Sequence, residues 1–214
     1  MLELGIKTLL AYLLGALIGS LIVGQLRGGI DIRTMGSGNA GGTNALRTQG
    51  FGFALWVMVI DIGKGWVGAR ILPALVLPGV GIDPGVDREW LAVACATAVA
   101  MGHVYPVWYG FRGGKGAATL LGVVVGLDPV ALIPVMLVWL ATVMVTGFVG
   151  LATMLATASF PIYFAAAHAQ PPVTMLTFGC GMFLFVCYTH RSNLERMRRG
   201  AENRVRRLWL FRPR

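Results

Sequence analysis

Three polar stretches interrupt an otherwise apolar chain, and each carries residue types suited to holding an anion. The first is MGSGNAGGTNALRTQG, residues 35–50, in which Gly36-Ser37-Gly38-Asn39-Ala40-Gly41 satisfies G-x-G-x-x-G. Glycines permit unusual backbone angles and let peptide N–H groups converge on an anion. Ser37, Asn39, Thr43 and Asn44 add neutral hydrogen-bonding groups, and Arg47 adds a planar fork suited to phosphate. A dinucleotide fingerprint also needs a strand before the glycines and an acidic residue about 20 positions on. Here an apolar run and a short basic linker precede them, and the residues around Trp56 are apolar. The pattern therefore survives as backbone geometry and fails as a dinucleotide signature.

The second stretch is GHVYPVWYGFRGGKGAAT, residues 102–119. Gly113-Gly114-Lys115-Gly116 resembles a phosphate loop, with Lys115 as a point charge toward phosphate. It is not a Walker A sequence, because Tyr109 replaces the first glycine and Gly116 the hydroxyl residue that binds magnesium. Nucleotide hydrolysis is thereby disfavoured. His103 reads equally well as structural or functional. The third stretch is YTHRSNLERMRRGAENRV, residues 188–205, where His190 and Asn193 would share a face of a helical continuation. Arg196, Arg198, Arg199, Arg204, Arg206 and Arg207 read as a juxtamembrane cluster attracting anionic lipid.

The elements that must position these stretches are membrane helices. The 214 residues are 56% apolar and 13% charged, too few charges to cover a water-facing surface. Apolar runs at 2–24, 51–72, 90–108 and 173–189 are long enough to cross a bilayer, which takes about 20 residues. The run at 2–24 is too long and too weakly basic at its start for a signal peptide. A longer run, 117–168, breaks at Asp128-Pro129 and near Gly147 and is expected to hold three short helices. The expected fold is an all-α integral membrane protein of about seven transmembrane helices, some short. It forms a single polytopic domain with glycine-rich cytoplasmic loops and a basic cytoplasmic tail, residues 191–214. Nine arginines in that tail place it in the cytoplasm and the N-terminus outside. Asp61 and Lys64 lie mid-span, three apart, and are expected to pair facing the protein interior, since a lone charge there costs about 2.5–3.5 kcal/mol. Cys95, Cys180 and Cys187 lie in apolar runs without metal-site spacing.

Together GSGNAGGTNALRT, GHVYPVWYGFRGGKGAAT and HRSNLERMRRGAEN, in that order between apolar spans, resemble the bacterial acyl-phosphate:glycerol-3-phosphate acyltransferase family. The resemblance implies transfer of a fatty acyl group from acyl phosphate to the sn-1 hydroxyl of glycerol 3-phosphate, giving lysophosphatidic acid and phosphate. It implies the catalytic set Ser37, Arg47, Lys115 and His190. Gly38, Asn39, Gly41, Gly42, Thr43, Asn44, His103, Gly113, Gly114, Gly116 and Asn193 are implied beside them in substrate binding. The enzyme would sit in the bacterial cytoplasmic membrane among lipids and act as a monomer, with no cofactor, metal, nucleotide or nucleic acid. This chain departs from the family at Gly42, Tyr105, Ser192 and Asn203, the last replacing the proline after the Glu202 position.

No nucleophile elbow surrounds Ser37, so direct attack by the glycerol hydroxyl is expected, without an acyl-enzyme. His190, His103 and the substrate's own phosphate remain alternative proton acceptors. A transporter for phosphate-bearing anions would also explain polar loops beside broken helices. It requires pore-lining charge in several spans, for which only Asp61, Lys64 and Arg70 are present.

Overall fold

A computed structural model describes residues 1–206 and 208–211. Every regular element among them is helical, and the chain packs as two compact units, Met1–Asp128 and Pro129–Arg214.

The first unit begins with α1 (Leu2–Gly15) and α2 (Gly19–Leu26), two halves of one apolar run bent by 48°. The glycine-rich segment leads into α3 (Gly42–Gln49). α4 (Phe51–Trp66) then runs through a π-helical turn, Val67–Ile71, into α5 (Leu72–Ala74). α6 (Arg88–Val104) starts on Asp87, whose carboxylate accepts from the backbone N–H groups of Glu89 and Trp90. α7 (Ala117–Leu127) ends at Asp128, where the backbone turns extended before Pro129.

These helices approach closely because glycines face their neighbours. A Cβ on Gly102 of α6 would lie 2.1 Å from the Tyr12 carbonyl oxygen of α1, and one on Gly122 of α7 would lie 1.9 Å from that of Ile62 in α4. Small residues at such crossings let backbones approach closely, and the resulting van der Waals packing is one of the forces that associate helices in lipid. At the start of α1, buried Glu3 accepts from Lys7 (2.8 Å), from Arg88 Nη1 and Nη2 (2.8 and 2.9 Å) and from the Asp83 amide (2.8 Å). Lys7 also donates to the Pro73 carbonyl at 2.7 Å. The beginnings of α1 and α6 are thus clasped by charge at one end and by glycine packing along their length.

The second unit contains α8 (Leu132–Thr146), α9 (Val149–Ala167), α10 (Val173–Thr189) and α11 (Arg191–Arg198). Gly147, left-handed at φ 75°, ends α8. Phe160 of α9 packs with Phe164 of the same helix and with Phe178 of α10, and Gly179 makes room for Phe160 and Pro161. The apolar run 117–168 therefore holds three helices, with breaks at Asp128-Pro129 and Gly147 as expected.

Among the described residues, three helices are long and apolar enough to cross a membrane: Phe51–Ala74, Arg88–Tyr109 and Val149–Ala167. Two bent pairs, α1 with α2 and α10 with α11, raise the number to five if each is one span. α7, with 11 residues, is about 16 Å long at 1.5 Å per residue, and the hydrocarbon core is about 30 Å thick. Seven crossings would require both α7 and α8 to traverse as short helices.

The tail corrects one expectation. Arg196 and Arg199 pair with Glu202 and Glu195, and Arg204 lies between the rings of Phe148 and Trp209. These three are engaged within the protein rather than serving only as lipid-facing charges. Arg207 lies outside the described residues.

Gly102→Leu drives a side chain into the α1 backbone, and overpacking of this kind costs about 1–3 kcal/mol. The expected outcome is a lower unfolding temperature in detergent, with less monodisperse protein on gel filtration.

Candidate functional site

The first glycine loop is organised by Asn44, which is 1% exposed. Its Oδ1 accepts from the Ser37 amide at 3.0 Å, and its Nδ2 lies 3.0 Å from the carbonyls of Ile32, Met35 and Asn39. Gly36 (φ 57°) lies so close to this amide that a Cβ would come within 2.4 Å of Oδ1. The Ser20 hydroxyl supports the loop from α2 through the Ala40 carbonyl at 2.7 Å. Asn44 is therefore scaffold: its side chain, expected on substrate, is consumed in shaping the loop. Ser37, Gly38, Thr43 and Arg47 face outward, with Asn39, Gly41 and Gly42 partly exposed. Thr43 and Arg47 are one turn apart on α3, whose Gly41 cap contributes no side-chain acceptor to the first amides. A helix start of this kind carries unsatisfied N–H groups and partial positive charge.

The second loop folds back on the end of α6. Gly113 N–H donates to Val104 O and Gly114 N–H to His103 O, both at 3.1 Å. A Cβ on Gly113 would lie 2.0 Å from the His103 carbonyl oxygen, and one on Gly114 would lie 2.1 Å from His103 Nε2. Here the glycines serve close approach, and their N–H groups cap α6 instead of cradling an anion as expected. Gly116 is left-handed at φ 88° and starts α7, leaving Lys115 half-buried on the turn.

Beneath this loop lies a buried charged cluster. Asp61 and Lys64 pair at 2.9 Å, as expected, and His103 joins them, with Nδ1 2.9 Å from Lys64 Nζ and 3.5 Å from Asp61 Oδ1. Lys64 also donates to the Gly15 and Leu17 carbonyls at 2.9 and 2.6 Å, and Asp61 accepts from the Gly19 amide at 3.1 Å. His103 is 2% exposed. The structural one of its two readings is the one this geometry supports.

Arg33 joins the two loops, a role the sequence reading missed. It grips Asp31 through Nε and Nη2 at 2.7–3.1 Å and donates to the carbonyls of Tyr109 (3.3 Å) and Arg112 (3.0 Å). The guanidinium holds the Asp31 carboxyl below its ordinary value. The only sequence signal was an Asp-x-Arg spacing just before the glycines. Tyr109 packs with Ile18, Leu21 and Ala40. A groove of about 510 Å³ lies alongside, lined by Leu21, Ile22, Gln25, Leu26, Gly29, Ile30, Asp31, Arg33 and Tyr109.

In the second unit, His190 sits at the 53° bend between α10 and α11 rather than within a continuous helix. Its Nδ1 is 2.9 Å from the Val186 carbonyl and 3.2 Å from Thr189 Oγ1. A proton on Nδ1 directed at that carbonyl leaves Nε2 as the ring's acceptor. The Asn193 amide N–H donates to His190 O at 2.8 Å, so the two residues share one local turn. Asn193 Nδ2 donates to Glu202 Oε1 at 2.8 Å, and Glu202 also accepts from Arg196 Nε at 2.6 Å. Glu202 thus orients Asn193 from nine residues away. No group of three His, Cys, Asp or Glu side chains among the described residues is placed to hold a metal ion.

Gly114→Ala pushes a methyl group into His103, at an expected cost of about 1–3 kcal/mol. Combining it with His103→Ala should cost less than the sum of the two single changes, because the added methyl gains space. Thermal unfolding of the four proteins in detergent checks this; strict additivity would mean that the two residues do not touch.

The family model described as glycerol-3-phosphate acyltransferase matches residues 6–200. The glycerol-3-phosphate acyltransferase of Chlorobaculum tepidum is 35% identical over 216 residues, covering 91% of this chain and 93% of that protein. That of Chlorobium phaeobacteroides is 34% identical, covering 92% and 94%. Among solved structures, the glycerol 3-phosphate form of PlsY, an integral membrane glycerol 3-phosphate acyltransferase, superposes with a TM-score of 0.80 at 34% identity and covers 94% of each chain. Its lysophosphatidic acid form gives 0.76 at 33% identity, with the same coverage.

Proposed function

Since this chain belongs to the glycerol-3-phosphate acyltransferase family and is a multi-pass membrane acyltransferase, we propose that its acyl donor is acyl phosphate and its acceptor the sn-1 hydroxyl of glycerol 3-phosphate. The products are lysophosphatidic acid and inorganic phosphate, and the reaction is the first acylation of phospholipid synthesis. One observation carries this reading. The first unit holds Ser37, Thr43 and Arg47 on the outer face of a pinned glycine loop and helix start, and Arg33 ties that loop to the one bearing Lys115. These loops offer two cations and neutral donors suited to anions, and both proposed substrates are phosphate-bearing anions.

Acyl phosphate is a mixed anhydride, already activated, so the reaction calls for neither a nucleotide nor a cofactor. The glycerol hydroxyl oxygen attacks the acyl carbonyl carbon, a new ester C–O bond forms, and the C–O bond to phosphate breaks. The phosphate leaves with the bonding electrons. Arg47 and Lys115 offset the repulsion between two anions, through charge-assisted hydrogen bonds of about 1.5–3 kcal/mol each. The amides opening α3, at Gly42 and Thr43, stabilise the developing oxyanion. The phosphate of glycerol 3-phosphate takes the hydroxyl proton, the acceptor that the family resemblance favours. His190 and Asn193, at the junction of α10 and α11, are residues that the family resemblance assigns to holding substrate. His103, Asn44, Gly113 and Gly114 act by shaping the loops. The acyl chain lies against Leu21, Ile22, Leu26 and Ile30 in the groove beside Tyr109, entered laterally from the inner leaflet. Arginine-rich loops and tail support an orientation with the C-terminus in the cytoplasm, the N-terminus outside, and the bacterial cytoplasmic membrane as the location.

Detergent-purified protein given acyl phosphate and glycerol 3-phosphate should release phosphate, while acyl-CoA and acyl carrier protein in parallel should not serve as donors. Arg47→Ala and Lys115→Ala should each lose about 10²-fold or more in kcat/KM, the loss of one or two charge-assisted contacts, with unfolding temperatures unchanged. Wild-type rates in either variant would remove the assignment. Direct attack further predicts that intact-mass spectra after incubation with acyl phosphate show no acyl adduct; a stoichiometric adduct that turns over would establish an acyl-enzyme instead.

A further inference from the structure

The match to the family model ends at residue 200, yet the chain beyond it is docked. After Gly200, left-handed at φ 68°, it returns to the turn between α8 and α9. Val205 N–H donates to the Gly147 carbonyl at 2.8 Å, Leu210 N–H to Met144 at 2.9 Å, and the Trp209 indole N–H to Val145 at 3.0 Å. Met144 and Val145 belong to the last turn of α8, where a helix has no further amides of its own to satisfy its carbonyls. The Arg204 guanidinium lies 4.3 Å from the Phe148 ring centroid and 4.2 Å from that of Trp209, a cation held between two aromatic faces. Gly147 leaves space for this arrangement: a Cβ there would sit 3.0 Å from Arg204 Cβ and 3.3 Å from Trp209 Cγ.

The same turn also touches the proposed site. Gly150, in the first turn of α9, is so close to Asn193 that a Cβ would fall 2.9 Å from its amide nitrogen. Between Asn193 and the Arg204–Trp209 grip, the tail carries Glu202, the acceptor that orients the Asn193 amide. Asn193 is thus held on one side by α9 and on the other by a carboxylate whose place depends on where the tail is fastened.

We propose that the tail is a positioning strap, in which Arg204 and Trp209 fasten the chain to the α8–α9 turn and thereby hold Glu202 and Asn193 in the geometry that turnover needs. The inference rests on the assignment of Asn193 to substrate made above. Arg204 and Trp209 touch no reacting atom; they act through Glu202. Misplacing a substrate-positioning group by about 1 Å can cost up to about 10²-fold in rate, so loosening the strap is expected to matter well beyond its own stability.

The test uses the full-length protein in detergent, with hydrogen–deuterium exchange and steady-state kinetics on Trp209→Ala, Arg204→Gln, Trp209→Phe and Arg204→Lys. In the first two, amides of residues 145–150 should exchange faster, and kcat should fall about tenfold with little change in the KM for glycerol 3-phosphate. The Phe and Lys variants keep a ring and a cation, and should recover most of kcat. Unchanged exchange in Trp209→Ala overturns the docking. Faster exchange at wild-type kcat overturns the positioning role, as does equal loss in the conservative variants. Asn193→Ala is measured alongside: wild-type turnover in that protein refutes the role given to Asn193, and the positioning proposal with it, while the docking is judged on exchange alone.

Discussion

The buried cluster of Asp61, Lys64 and His103 is the interaction on which the first unit depends. The first apolar run is broken between Gly15 and Gly19, and a break inside a membrane helix frees carbonyls and amides that lipid cannot satisfy. Lys64 takes the carbonyls of Gly15 and Leu17, and Asp61 takes the Gly19 amide. The ion pair therefore completes the hydrogen bonding of a neighbouring helix as well as its own. Breaking a buried pair strands a charge, which is more costly than never having placed it there. Once the break is stable, α2 can turn by 48° and carry Ser20 to the glycine loop at Ala40.

The two glycine-rich loops use glycine for different physical reasons. In the first, left-handed Gly36 and Gly38 let the backbone wind around the Asn44 amide, which leaves Ser37, Thr43 and Arg47 outside. In the second, Gly113 and Gly114 are required because the chain presses on His103. Their amides return to α6, and Lys115 follows them, half-buried on the turn into α7. Arg33 couples the loops through the carbonyls of Tyr109 and Arg112.

In the second unit the polar residues are concentrated at a helix junction. His190 ends one helix and starts the next, and its ring is fixed by the carbonyl one turn back. Asn193 follows within the same turn, buried against Gly150 and held by Glu202. Glu202 keeps both Asn193 and Arg196 as donors although asparagine, not proline, follows it.

What the sequence by itself determined was local. Apolar runs of sufficient length, the breakers Asp128-Pro129 and Gly147, and the three-residue spacing of Asp61 and Lys64 act within a few turns of a helix, so helical content, the three helices after residue 117 and the ion pair were legible. The three motifs in their order made the family legible as well. Tertiary structure alone decided which polar groups are spent on the fold and which stay exposed. His103 meets Lys64 from 39 residues away, Arg33 meets Arg112 from 79, and Trp209 meets Val145 from 64. Such pairings depend on how helices cross and where a chain folds back, and helical periodicity carries no record of either. Asn44, Gly113 and Gly114 have chemistry that suits an anion, but the Asn44 side chain is hydrogen-bonded inside its own loop and the Gly113 and Gly114 amides are hydrogen-bonded to the end of α6.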